Sequence, residues 1–185
     1  MKISKVAVLG AAAALSVGLA GCGSAEESAS AATLVASTSV AASSPASIDY
    51  TSLLIEPSDI DAGWTLVSTK PEQDGITGNF GNSEDTEAIS TSVIVHEDSE
   101  TAAAAVAAAK DAVSQEAGGA TFSPADVGVG GGILNDQSGT TVVVFGEGRA
   151  FAFLEFNSKT GERVPAEVAI EIAKVQDATI KAGVK

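Results

Sequence analysis

TTVVVFGEGRAFAFLEFNS, residues 140–158, holds two apolar runs that meet at Gly146-Glu147-Gly148. β-Branched and aromatic residues fit a pleated backbone, and glycines flanking one polar residue allow a tight reversal. The stretch therefore reads as a β-hairpin of strands 140–148 and 149–158. In the second strand Phe151, Phe153 and Glu155 share one face, while Ala152, Leu154 and Phe156 share the other. With both faces apolar over most of its length, this strand is expected to be buried on both sides and central in its sheet.

Working outward, Pro165 opens and Gly183 closes PAEVAIEIAKVQDATIKA, which predicts a helix with Val168, Ile172, Val175 and Thr179 as its inward stripe. Glu171, Lys174, Asp177 and Lys181 are left for exposed pairs. Upstream, GGILND (131–136) reads as a strand, preceded by a glycine-rich turn or bulge. A second helix is predicted over residues 99–117, capped by Asp98 or Ser99, stopped by Gly118-Gly119 and packed through Ala102, Val106, Ala109 and Val113. Before it come strands at WTLVST (64–69), DGITGNFGN (74–82) and EAISTSVIVHE (87–97), the last with Ile89, Thr91, Val93 and Val95 on one face. Pro57 starts a turn or single helical turn at residues 57–61. Strand-then-helix order thus occurs twice, and the expected class is α+β: an antiparallel sheet of five to six strands covered by two main helices.

The chain before residue 48 differs in character. Residues 1–5 carry Lys2 and Lys5, and residues 6–20 are an uncharged apolar run, the pattern of a secretory signal peptide. A permanent transmembrane helix needs about 20 apolar residues, and this run is shorter and interrupted by Gly10, Ser16 and Gly18. Residues 23–47 are almost wholly Ser, Ala, Thr and Gly, a composition expected to form a disordered linker because it has little apolar surface to offset the entropy of ordering. The organisation expected is a signal peptide over 1–21, a lipidated Cys22 with its linker over 22–47, and one globular domain over 48–185.

The net charge is −14, which excludes a basic nucleic-acid-binding surface and disfavours attraction to anionic lipid headgroups. Catalytic inventory is sparse. His96 is the sole histidine and Cys22 the sole cysteine. HEDSE (96–100) has Glu100 where a zincin helix would need its second histidine, so His96 is read as a surface residue at a strand end. No G-x-S-x-G elbow occurs, and DVGVGGGIL (126–134) departs from a dinucleotide fingerprint by Ile133 and by leading into a strand. The acidic loops PEQDG (71–75) and GNSEDTE (81–87) lack the alternating ligand spacing of a calcium loop. No catalytic residue, cofactor or metal site is expected. The candidate contact residues are the aromatics Trp64 and Tyr50, both near the linker end in sequence.

Leu19-Ala20-Gly21-Cys22, placed where the apolar run ends, resembles the bacterial lipobox. The resemblance implies diacylglyceration of the Cys22 sulfur and cleavage before it; two acyl chains hold stably where one does not. The whole layout, with LLIEPSDI (53–60) and VFGEGRAFAFLEF (144–156), is similar to small secreted lipoproteins of mycobacteria and related actinomycetes, some of which look like the Mog1/PsbP fold. That resemblance implies an antiparallel sheet flanked by helices serving as a binding scaffold. The lipid-carrier lipoproteins of that lineage are longer, and its kinase sensor domains use disulfides, which one cysteine cannot form. The expected function is a non-enzymatic binding or accessory module at the outer face of the cytoplasmic membrane, with an envelope protein, a glycan or a hydrophobic ligand as partner. The alternatives are a small carrier of a lipid or other hydrophobic ligand with the 99–117 helix as its lid, and an envelope hydrolase with carboxylate chemistry around His96.

Overall fold

The computed structural model describes residues 48–184. A 3-10 turn (Thr51–Leu53) and the short helix α1 (Pro57–Ile60) lead into strands β1 (Trp64–Glu72), β2 (Gly75–Asn82) and β3 (Glu87–Val95). Helix α2 (Ser99–Glu116) follows, then β4 (Ser123–Pro124), β5 (Val129–Asn135), β6 (Thr141–Glu147) and β7 (Ala150–Ser158), and finally helix α3 (Ala166–Gly183). The strands form one sheet in the order β1-β2-β3-β7-β6-β5-β4, and every pairing is antiparallel. The α+β class is as expected, but the sheet has seven strands in place of five to six, and α1 adds a third helix. The extra strand, β4, is a two-residue edge piece with no apolar alternation to mark it.

β7 is the fourth of seven strands, the central place its two apolar faces required. On one side Ala152 lies opposite Val93 of β3, and on the other opposite Phe145 of β6, so the register stacks apolar residues across the middle of the sheet. The sheet consists of two meanders, β1–β3 and β4–β7, joined along β3 and β7. The face bearing Val93, Val143, Phe145, Ala152 and Leu154 packs against α3 and residues 53–55. The opposite face is covered over Val142, Val144, Phe151 and Phe153 by Val106 and Val113 of α2. Asp98 caps α2 by accepting a 2.7 Å hydrogen bond from the Thr101 amide, and that bond holds its carboxyl below the usual aspartate range.

The glycine-rich approach to β5 is a bulge: the register with β6 shifts between Val129 and Gly132, and Gly130 takes a left-handed φ of 64°. β1 runs on past Thr69 through Pro71 to Glu72. A proline is tolerated there because β1 is an edge strand with one side free of ladder bonds.

The expected inward stripe of α3 needs correction. Val168 and Val175 are 47% and 36% exposed, and Thr179 is only half-buried. The buried face is Ala169, Ile172, Ala173, Gln176 and Ile180. The sheet beneath is already filled by Phe145 and Leu154, so the helix approaches through alanines and its valines turn towards α1. Gln176 is fully buried and clamps the N-terminal segment to the helix: its Nε2 donates to the Leu53 carbonyl at 2.5 Å, and its Oε1 accepts from the Ile55 amide at 3.2 Å.

Of the residues expected in exposed pairs, Lys174 does bridge to Glu171, at 3.1 Å. Asp177 instead is half-buried; burial first, then the charge of Glu147, raises its carboxyl above the usual range. A carboxyl whose folded pKa exceeds its unfolded value favours folding when protonated, so its penalty grows as pH rises from the unfolded value through the folded one and is complete above that. Asp177→Asn is therefore expected to stabilise the domain at pH 7, by less than about 1 kcal/mol because solvent screens the pair, with no gain at pH 3. Thermal melts at the two pH values check this.

Candidate functional site

Leu19, Ala20, Gly21 and Cys22 lie outside the described residues. Trp64 is placed by three features of its neighbourhood. α1 ends at Ile60, Gly63 turns the chain at a φ of 89°, and the Trp64 amide reaches back to the Asp61 carbonyl at 3.4 Å. Across the sheet, Trp64 pairs with Asn82, whose side chain organises the β2–β3 turn. Asn82 Oδ1 accepts from the amides of Thr86 and Glu87 at 2.9 and 3.2 Å, and its Nδ2 donates to Glu87 Oε2 at 3.3 Å. Trp64 and Glu87 are thus delivered to the same side of the sheet.

Between them is a cleft of about 160 Å³. Its floor is Ile89, Phe156 and Ile172, at most 7% exposed, and its walls include Ile60, Val164 and Val168. Asp61 and Glu87 are the only ionisable groups in its lining, which includes no hydroxyl, thiol, imidazole or amine side chain. Asp61 is solvent-exposed and Glu87 half-buried.

Tyr50 lies elsewhere. It lines a second cleft, of about 190 Å³, with Val95, Arg149, Gly183 and Val184 at the C-terminal end of α3, whereas Pro165 and Val168 at the N-terminal end line the Trp64 cleft. From Ile172, the last α3 residue of the Trp64 cleft, to Gly183 in the Tyr50 cleft the helix rises about 16 Å. The structure therefore does not bring the two candidate aromatics together. The chain enters the described region at Ile48, beside Tyr50, which leaves Trp64 at the far end of the helix.

His96 follows the last residue of β3, with its amide donating to the Arg149 carbonyl at 2.8 Å. It is half-buried and its Nε2 has no partner among the described residues. Among those residues no group of three or more His, Cys, Asp or Glu side chains converges as metal ligands would. In the acidic loop 81–87, Asp85 takes a left-handed φ of 54° and pairs with Lys159 at 2.6 Å.

Sequence reasoning singled out Trp64 but missed Glu87, Phe156 and Val164, because the strand register and the approach of α3 create their proximity. Comparison with family models, curated proteins and solved structures gave no match to this chain.

Proposed function

We propose that this chain is a lipid-anchored binding module at the outer face of the cytoplasmic membrane, without catalytic activity of its own. The observation that carries the binding role is the Trp64 cleft, an apolar recess with an aromatic wall, two rim carboxylates and no hydroxyl, thiol, imidazole or amine side chain in its lining. The anchoring role is supported by Leu19-Ala20-Gly21-Cys22 at the end of the apolar run. No helix among the described residues is long and apolar enough to cross a membrane.

The test has two arms. Cys22→Ser is expected to move the protein from the membrane to the soluble or unprocessed fraction and to remove a diacylglyceryl mass from its N-terminus; unchanged fractionation and mass would reject the anchor. Crosslinking on intact cells from several surface positions is expected to trap a defined partner. Repeated failure at every position, with no ligand retained on purification, would reject the binding role.

A lipid carrier with α2 as its lid has less support. The recess beneath the end of α2, the proposed lid, measures about 210 Å³. Sites for drug-sized ligands span roughly 300–1,000 Å³, and an acyl chain needs comparable room.

A further inference from the structure

We propose that the Trp64 cleft receives the side chain of an arginine or lysine from a partner polypeptide, with apolar residues of the same segment lying along α3. The inference rests on the binding role above and assigns its chemistry. Three observations lead to it.

The first is size. At about 160 Å³ the cleft itself has room for one long side chain.

The second is the distribution of polarity within it. The recess is apolar at its base, with Phe156 and Ile172, aromatic at one wall, with Trp64, and anionic at its mouth, with Asp61 and Glu87. An arginine or lysine has the matching order: a methylene stem that packs on apolar surface, and a cationic head attracted both to an indole face and to carboxylates. Each rim carboxylate uses one oxygen internally, Asp61 Oδ1 for the Ala62 amide at 2.6 Å and Glu87 Oε2 for Asn82. Neither forms a salt bridge among the described residues.

The third is continuity. The cleft shares Ile60, Val168 and Ile172 with a shallow groove that extends to Val175 and is bordered by Asp59, Glu167 and Glu171. Val168 and Val175 are the valines that α3 leaves exposed at 47% and 36%. An apolar strip with acidic borders complements a segment that carries both apolar and basic residues, and its length along the helix suits a polypeptide better than a small cation. The same charge pattern repels anionic lipid headgroups.

Trp64 is the only tryptophan in the chain, so its fluorescence reports this cleft alone. The full chain in detergent would be titrated with an N-acetylated, C-amidated Leu-Ala-Arg-Ala-Leu peptide, with its lysine counterpart, and with a citrulline peptide that keeps shape and loses charge. The expected result is a saturable change in Trp64 emission with at least tenfold tighter binding of the charged peptides, weakened by salt. Asp61→Asn combined with Glu87→Gln should remove that preference while leaving the unliganded spectrum and melting temperature unchanged; if the pair perturbs folding, the single variants should each weaken it at least threefold.

Equal binding of the citrulline peptide, no saturation with any peptide, or indifference to the carboxylate substitutions would overturn the proposal. Spermidine binding as tightly as the peptides would overturn the polypeptide assignment. These failures are separable from failure of the binding role: partners still trapped on intact cells would reject the cleft chemistry alone, whereas loss of all partners would reject both.

Discussion

Gln176→Leu should destabilise the domain by about 3 kcal/mol or more. The substitution keeps most of the side-chain volume but removes both hydrogen bonds to the segment before α1, leaving the Leu53 carbonyl and the Ile55 amide buried without partners. An unsatisfied buried backbone group costs about 1–3 kcal/mol, and there are two. Natural domains hold only about 5–15 kcal/mol in total, so the loss should be plain in urea titration as a lowered midpoint at constant slope. A local signature is also expected: the Ile55 amide should exchange with solvent at least tenfold faster than in the parent protein. A change below 1 kcal/mol for Gln176→Leu would mean that the segment 53–55 is held by its leucines and isoleucine alone.

The second large effect is expected at Phe145. Its side chain is fully buried on β6, opposite Ala152 and under α3. Neither Ala152 nor the alanines of α3 can extend into the space vacated by the ring, so Phe145→Ala should cost about 3–5 kcal/mol, the transfer term plus a cavity that cannot collapse. The loop before β5 should loosen as well, because Gly128 crosses directly over the ring: a Cβ at that glycine would lie 2.7 Å from Phe145 Cδ2. Val129→Ala is the control; Val129 is 61% exposed, and its truncation should fall within about 0.5 kcal/mol of no effect. Equilibrium unfolding of both variants decides the matter, and similar costs would contradict the placement of Phe145 in the core.

Both positions show where sequence reading reached and where it stopped. The hairpin over 140–158 was legible because each strand declares its burial through its own alternation, and two apolar faces admit only a central place. The face of α3 was not. Two stripes compete on that helix, and the hydrophobicity of Val168 and Val175 favours the wrong one; the face that is buried, Ala169, Ile172, Ala173, Gln176 and Ile180, is set by the sheet beneath, already filled by Phe145 and Leu154. A buried glutamine gives no local sign of its role, since the partners of Gln176 are backbone groups more than 120 positions earlier.

The candidate site divides in the same way. Trp64 was visible as a solitary large aromatic at a strand start. Its separation from Tyr50 along α3, and its approach to Glu87 two strands away on β3, depend on register and on the path of the last helix. The proposal for Cys22 rests on sequence alone, since a lipobox-like string is local and needs no tertiary context.

The position of β7 also bears on the order of assembly. The strand in the middle of the sheet is the last strand to leave the ribosome, and β3 must wait for a neighbour that begins at Ala150. Until then the first meander is a three-stranded ribbon lacking its partner and α3, with Ile89 and Val93 uncovered. Sheets dominated by such non-local pairings close in milliseconds to seconds. The first meander of such a chain cannot close its sheet or bury its apolar face until the final strand and helix have been made, so folding is committed only by the C-terminal third of the sequence.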